Sequence, residues 1–183
     1  LIRSVTGLCK LESMMIGRSE VEKLLKAEAG RDERPEEVAL RVGVVAKERE
    51  IQSVLNKQNA YKYVEQLVRL TGKTGLAVIG EKELLQIHSL LSERMWPSHT
   101  LGVYRTASVE GTDFVTAAIR TPPLSIEVPY QMEDVWLWYK ELEKEKIYPA
   151  VRVALVMSSL IKISPFTANN GSAVLLFGEL LMG

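Results

Sequence analysis

Ser164-Pro165-Phe166-Thr167-Ala168-Asn169-Asn170-Gly171-Ser172 lies between two strongly apolar segments, residues 149–163 and 172–182, and how it is read decides the fold. Pro165 has no N–H to give a helix and clashes with the preceding turn. Asn169, Asn170 and Gly171 tolerate a left-handed backbone. The chain is therefore expected to leave one helix, loop, and enter another at Ser172. Such a turn aims backbone N–H groups at the space above the start of the second helix, where the helix dipole favours an anion. The plainer alternative is an interhelical turn with no ligand, in which Phe166 is a loop aromatic packed into the core.

Outward from this turn the chain reads as helices. Residues 149–163 are apolar almost all round and are expected to form the central helix; 172–182 close the core. Residues 129–146 are expected to bury Met132, Val135, Trp138 and Leu142. Near the start, Ser19 followed by Glu22 is a capping box, so a short helix is expected with Val21, Leu24 and Leu25 inward, ending near Gly30. Residues 31–35 read as a charged loop. Helical spacing then runs over 36–70 through Val38, Val42, Val45, Leu55, Val64 and Leu67, and Thr71-Gly72-Lys73-Thr74-Gly75 breaks it. A helix over 81–93 follows. Residues 96–128, rich in Pro, Gly, Thr and β-branched side chains, are expected to form a hairpin or extended flap.

The 183 residues, 46% hydrophobic and 25% charged, are enough for one globular domain with a sizeable core. A net charge of zero with no long basic patch argues against nucleic acid. No apolar run reaches the roughly 20 residues that a membrane span needs. The single cysteine, Cys9, cannot form an internal disulfide, and no signal peptide is visible, so a reducing cytoplasm is the expected compartment. A chain that begins at Leu1 and stops one short helix after the turn reads as a fragment or the ordered part of something longer.

The nine-residue stretch resembles the signature of the Fic (Fic-Doc) family of adenylyltransferases, His-Pro-Phe-x-Asp/Glu-Gly-Asn-Gly-Arg-x-x-Arg, in register from Ser164 to Ser172 with Leu175 last. Tyr148-Pro149-Ala150-Val151-Arg152-Val153-Ala154-Leu155 resembles the helix leading into that signature. Gly102-Val103-Tyr104-Arg105 resembles the segment before the family's substrate-binding flap. The resemblance implies an all-α, Fic-like helical bundle with a small β-hairpin flap, and AMP transfer from ATP to a hydroxyl side chain. It also implies what is lost. The general base is replaced by Ser164, which cannot take a proton near neutral pH, at a cost of roughly 10²- to 10⁴-fold. The acidic residue that holds Mg²⁺ is replaced by Ala168, which has no ligand atom. The two arginines are replaced by Ser172 and Leu175. Asn170 and Gly171 match the anion-holding backbone, with Asn169 in place of the first glycine, so Asn169, Asn170, Gly171 and Ser172 are the nucleotide-binding candidates, ATP binding is expected to be weak, and Mg²⁺ doubtful. Arg105 matches a recurrent arginine at the flap or cleft; as an alternative it is a surface or capping cation.

Many Fic proteins carry an N-terminal inhibitory helix with Ser/Thr-x-x-x-Glu-Gly/Asn. The best match puts Glu12 at the glutamate, Leu8 at the hydroxyl position and Ser13 last. The implied division is an N-terminal helical segment over residues 1–30 and a Fic-like domain over 31–183. Leu175 offers Glu12 no charge, so an ordinary solvated carboxylate is the reading preferred for it here.

Other candidates carry less. Gly72-Lys73-Thr74 lacks the glycine that a phosphate loop needs five positions earlier, where Leu67 stands. His88 lies on an apolar helix face and is expected to pack; His99 sits in a loop; neither is near the motif in sequence. Two histidines and one cysteine offer no metal-ligand set. Trp96, Trp136 and Trp138 read as core or rim residues. The expectation is thus a Fic relative with impaired or silent catalysis, with a protein target or regulator as partner. The alternatives are a regulatory or structural interaction domain with no nucleotide ligand, and an active enzyme with a divergent site.

Overall fold

The computed structural model describes residues 1–27, 29–30, 33–74, 79–112, 119–142, 144–145 and 147–183. Eight α-helices carry the described chain: α1 (Ile2–Leu11), α2 (Arg18–Lys26), α3 (Pro35–Val42), α4 (Glu48–Thr74), α5 (Glu81–Ser92), α6 (Val128–Leu142), α7 (Pro149–Ile163) and α8 (Asn170–Met182). Two short strands, β1 (Gly111–Thr112) and β2 (Ile119–Arg120), pair antiparallel with Gly111 opposite Arg120. The tip of the expected flap, 113–118, lies outside the described residues. No described helix is long and apolar enough to cross a membrane.

The local physics of the start sites differs in two places from the spacing argument. Helix α2 begins one residue before Ser19. Its N-cap is Gly17, whose N–H donates to the Glu20 carboxylate at 2.9 Å, while Glu22 pairs instead with Lys26 one turn on at 2.8 Å. The long helical run expected over 36–70 is two helices. Gly43 takes a left-handed backbone at φ 65° and ends α3, a conformation glycine reaches without a Cβ penalty. Val45, placed in the core by periodicity, is 93% exposed in the connection. At its other end α4 runs through Gly72 to Thr74, so the expected break does not occur before Thr74; Gly75 lies outside the described residues.

Helix α4, about 40 Å long at 1.5 Å per residue, is the spine. Its first half packs with α1, α2 and α3 around Val5, Val21, Leu24, Val38, Ile51 and Val54. Its second half meets α5 and α8 around Ala60, Val64, Leu84, Ile87, Phe166 and Phe177, a core that α6 and α7 complete. Helix α1 touches both: Val5 and Cys9 enter the first cluster, and Leu8 enters the second. Burial pushes the Cys9 thiol up to about 11, so it packs as a small neutral apolar group.

In α6 the buried tryptophan is Trp136, edge-on to Phe177 with centroids 5.7 Å apart, and Trp138 is only half-buried. Helix α6 ends at Leu142; the expected end at Lys146 falls outside the described residues. Helix α7 has the predicted bounds but is not surrounded. Val153, Val156, Leu160 and Ile163 are buried, whereas Val151 and Leu155 are exposed. Phe177→Ala is therefore expected to cost about 3–5 kcal/mol in urea unfolding, and Leu155→Ala less than about 0.5 kcal/mol. Equal costs would contradict the packing.

Candidate functional site

The turn between α7 and α8 is tied on every side. Ser164 caps α7 in a left-handed backbone (φ 47°), and Asn169 enters α8 in another (φ 57°). Neither is glycine, and each such residue costs on the order of 1 kcal/mol that its surroundings must offset. The offset comes from hydrogen bonds. Asn170 closes the loop on itself: its Oδ1 accepts from the Phe166 N–H and its Nδ2 donates to the Phe166 carbonyl, both at 2.8 Å. Ser164 donates its hydroxyl to the Ile161 carbonyl at 2.9 Å.

Arg105 is the second fastening. It is buried, and among the described residues its guanidinium donates to backbone carbonyls: Ser164 at 2.8 Å, Ile163 at 3.3 Å, Pro123 at 2.7 Å and Ala107 at 3.0 Å. Its own N–H donates to the Pro165 carbonyl at 2.8 Å. Two of these acceptors belong to the C-terminal end of α7, where a cation complements the helix dipole. Arg105 thus spans the turn and the segments before and after the strand pair, as a structural clamp rather than a surface cation. Burial lowers its pKa.

His88 is the third. Phe166 lies flat on its ring, with centroids 3.9 Å apart and planes within 2°. The Gly102 N–H donates to His88 Nδ1 at 3.1 Å, which leaves the proton on Nε2, 3.2 Å from Ser92 Oγ. The Asn169 amide donates to the same Ser92 hydroxyl at 3.0 Å. Gly102 is in place because its backbone is left-handed and an added Cβ would come within 2.9 Å of the Leu85 carbonyl oxygen. His88, distant from the motif in sequence, therefore packs against it in space. Nothing in the sequence pointed to this contact, since Gly102 and Phe166 approach α5 from different parts of the chain.

Glu12 does not sit in solvent. One carboxylate oxygen accepts from Lys57 Nζ at 2.6 Å, and the other accepts from the Ser172 hydroxyl in the first turn of α8. The Lys57 side chain is 2% exposed and also donates to Ser53 Oγ at 2.6 Å. Lys57 was missed by sequence reasoning because a lysine in a polar stretch of a long helix looks solvated. Leu175, where the second arginine would stand, instead lines an apolar groove of about 400 Å³ with Leu8, Val153, Met157 and Met182.

These residues do not fit a magnesium ion. Ala168 has no donor atom, and among the described residues no group of three His, Cys, Asp or Glu side chains could hold a metal.

His88 also gives the site a pH dependence. Burial, opposed by a backbone hydrogen bond with Ala168, lowers its pKa from the ordinary 6.5 to about 4. Between those values the unfolded chain binds a proton that the native state refuses. The stability from neutral His88 is complete above pH 6.5 and is lost as pH falls toward 4, by on the order of 3 kcal/mol. Urea unfolding of wild type and His88→Gln across pH 4–7 should show the larger slope in wild type; parallel profiles would contradict it.

A family model described as the Fic/DOC family matches residues 78–182. None of the curated proteins compared matches the sequence. Among solved structures the chain is similar to a Fic family protein from Desulfovibrio desulfuricans G20, with 22% identity and a TM-score of 0.76, over 99% of this chain and 47% of that one. It is also similar to a Fic domain containing signaling protein from Bacteroides thetaiotaomicron VPI-5482 (16% identity, TM-score 0.61, 98% of this chain and 71% of that one) and to Fic-1 (residues 134–508) from C. elegans (21%, 0.58, 99% and 56%). At these identities the likeness establishes the fold, and the chain spans about half the length of the Desulfovibrio protein. With the family match covering more than half of its residues, this chain belongs to the Fic/DOC family.

Proposed function

We propose that this chain is a catalytically silent Fic domain, related to enzymes that transfer AMP from ATP to a hydroxyl side chain, that keeps a weak nucleotide site and acts through a protein target or regulator. The observation that carries this reading is Ser164. At the position of the family's base stands a hydroxyl that is 4% exposed, donates to Ile161, and is followed by a carbonyl held by Arg105. It can neither take a substrate proton nor reach one.

The nearest imidazole offers no substitute. His88 is buried, has both ring nitrogens engaged, and prefers its neutral form down to about pH 4. Ala168 brings no ligand for Mg²⁺, and Ser172 and Leu175 bring no charge to the phosphates. A base, a metal and two cations are electrostatic aids of the kind that dominate phosphoryl and nucleotidyl transfer. What persists is the first turn of α8, a place for an anion by its free N–H groups and dipole. In this reading the segment over 1–30 is regulatory, with Glu12 as the inhibitory glutamate, and the strand pair serves as a flap that docks a partner peptide by strand addition. A second reading, an interaction domain with no nucleotide, is favoured by the exposed apolar side chains of Leu137, Tyr148, Val151 and Leu155 on and beside α6 and α7.

Calorimetric titration with ATP tests the first reading. Weak binding, indifferent to Mg²⁺, is the expected result; micromolar binding that requires Mg²⁺ contradicts it, and no binding up to millimolar ATP favours the second. Ser164→His alone should restore no AMP incorporation into added protein targets or into the chain itself, because Ala168 and Ser172 still leave the phosphates unsupported. Appreciable incorporation by that single variant would overturn the assignment of what is missing.

A further inference from the structure

We propose that Arg34, Arg49 and Arg94 form a binding site for a phosphate monoester, in the cavity where the starts of α3 and α4 meet the chain leaving α5. The cavity holds about 570 Å³, within the range of roughly 300–1,000 Å³ usual for ligand sites. It shares no lining residue with the turn between α7 and α8, so it stands whether or not a nucleotide binds there. Arg34 and Arg49 also lie outside residues 78–182, which the family model matches.

The fold itself does not account for these cations. Arg34 is the N-cap of α3 and Arg49 the second residue of α4, the ends at which a helix dipole disfavours positive charge. Among the described residues neither guanidinium has a hydrogen bond or an ion pair; that of Arg49 lies over the Trp96 ring, 5.3 Å from its centroid. Glu36 and Glu48 line the same cavity, but each stands in the first turn of its helix, where a carboxylate complements the dipole, and among the described residues neither pairs with an arginine. Arg94 follows α5 in a left-handed backbone (φ 59°), a conformation that costs free energy in a residue with a Cβ, and donates to the Glu33 carbonyl at 3.3 Å. Repulsion among three guanidinium groups around one cavity falls when an anion enters it.

A guanidinium is a planar fork whose parallel N–H groups suit a phosphate or a carboxylate. A carboxylate ligand brings a single negative charge against the repulsion of Glu36 and Glu48. A phosphate monoester carries close to two at neutral pH and presents three oxygens to three arginines. Stacking on Trp96 occupies one face of the Arg49 guanidinium and leaves its edge N–H groups for such oxygens. The Arg94 side of the cavity is fixed from α4. The Gln52 amide donates to Asn56 Oδ1 at 2.7 Å, and Asn56 Nδ2 donates to the carbonyls of Leu91 at 3.1 Å and Glu93 at 2.7 Å. The backbone leading into Arg94 is thus ordered before a ligand arrives, which lowers the cost of binding. A phosphate group fills only a small part of the cavity, which leaves room for whatever carries it. The carrier is a phosphorylated protein side chain or a small phosphorylated molecule, and both present the same group to the arginines.

The test uses the full 183-residue chain in calorimetry with inorganic phosphate, O-phosphoserine, a short capped peptide bearing one phosphoserine, and the same peptide unphosphorylated. The phosphorylated probes should bind, the unphosphorylated peptide should not, and affinity should fall as salt is raised. Arg34→Gln combined with Arg49→Gln changes two exposed side chains, so the variant should stay folded and lose at least tenfold in affinity. Glu36→Gln combined with Glu48→Gln should gain affinity a few-fold. Tighter binding of the phosphopeptide supports the site with a phosphorylated side chain as its source; tighter binding of O-phosphoserine or inorganic phosphate supports it with a small molecule. Failure of wild type to bind any phosphorylated probe at millimolar concentration overturns the proposal. So does binding that the double arginine variant keeps, which is attraction to surface cations in general. Tryptophan fluorescence gives a second view. O-phosphoserine should change the emission of wild type, and Trp96→Phe should bind it yet lose that change; a change that survives Trp96→Phe contradicts the placement of the phosphate at Arg49.

Discussion

Everything in this fold is organised by the need to reverse the chain between two apolar helices, α7 and α8, without leaving a buried polar group unpaired. The turn contains two left-handed residues that are not glycine and several main-chain groups cut off from water. The protein satisfies them from within and from afar: the Asn170 amide closes the turn locally, the Arg105 guanidinium comes from the segment before the strands, and the Ser92 hydroxyl with the His88 ring from α5. Because buried groups lose water on folding, each of these bonds matters more for the penalty it prevents than for the energy it adds. The Phe166 ring, pressed on His88, fills the volume that the turn encloses.

This explains what the residues shared with the family signature do for the shape of the turn. Pro165, Phe166, Asn170 and Gly171 serve the turn, and they remain. Positions 164, 168, 172 and 175 carry serine, alanine, serine and leucine, and the core around Phe166, Ala173, Val174, Leu176 and Phe177 is closely packed. Beside the first turn of α8, Lys57 of α4 and Glu12, which follows α1, form a largely buried ion pair.

Much of the fold was legible because its signals are local. Pro149 at the first position of α7, the apolar spacing of residues 149–163 and the Asn-Asn-Gly turn set their elements directly, and Asn169 takes the left-handed backbone its type tolerates. Gly43 was the local signal overlooked, and it splits the run over 36–70 into two helices. The site was less legible. Arg105 could be matched to a pattern, but its role as a clamp depends on carbonyls some 58 residues away. Lys57 carried no mark at all, since the burial of a lysine is decided by which helices cover it, and that is set by tertiary packing of α1 over α4. Likewise the exposed side of α7 could not be told from a buried one, because its residues are apolar on both.

The central claim is that the motif turn is a frame held shut by buried hydrogen bonds, not an open reactive loop. Native-state amide hydrogen exchange measures this at single residues. The N–H groups of Arg105, Ser164, Phe166 and Ala173, which donate to the Pro165 carbonyl, the Leu160 carbonyl, the Asn170 side chain and the Asn169 carbonyl, should exchange only with global unfolding. Exchange at Phe166 and Arg105 as fast as in an exposed loop, slowed on addition of ATP, would show instead that the turn is built around its ligand.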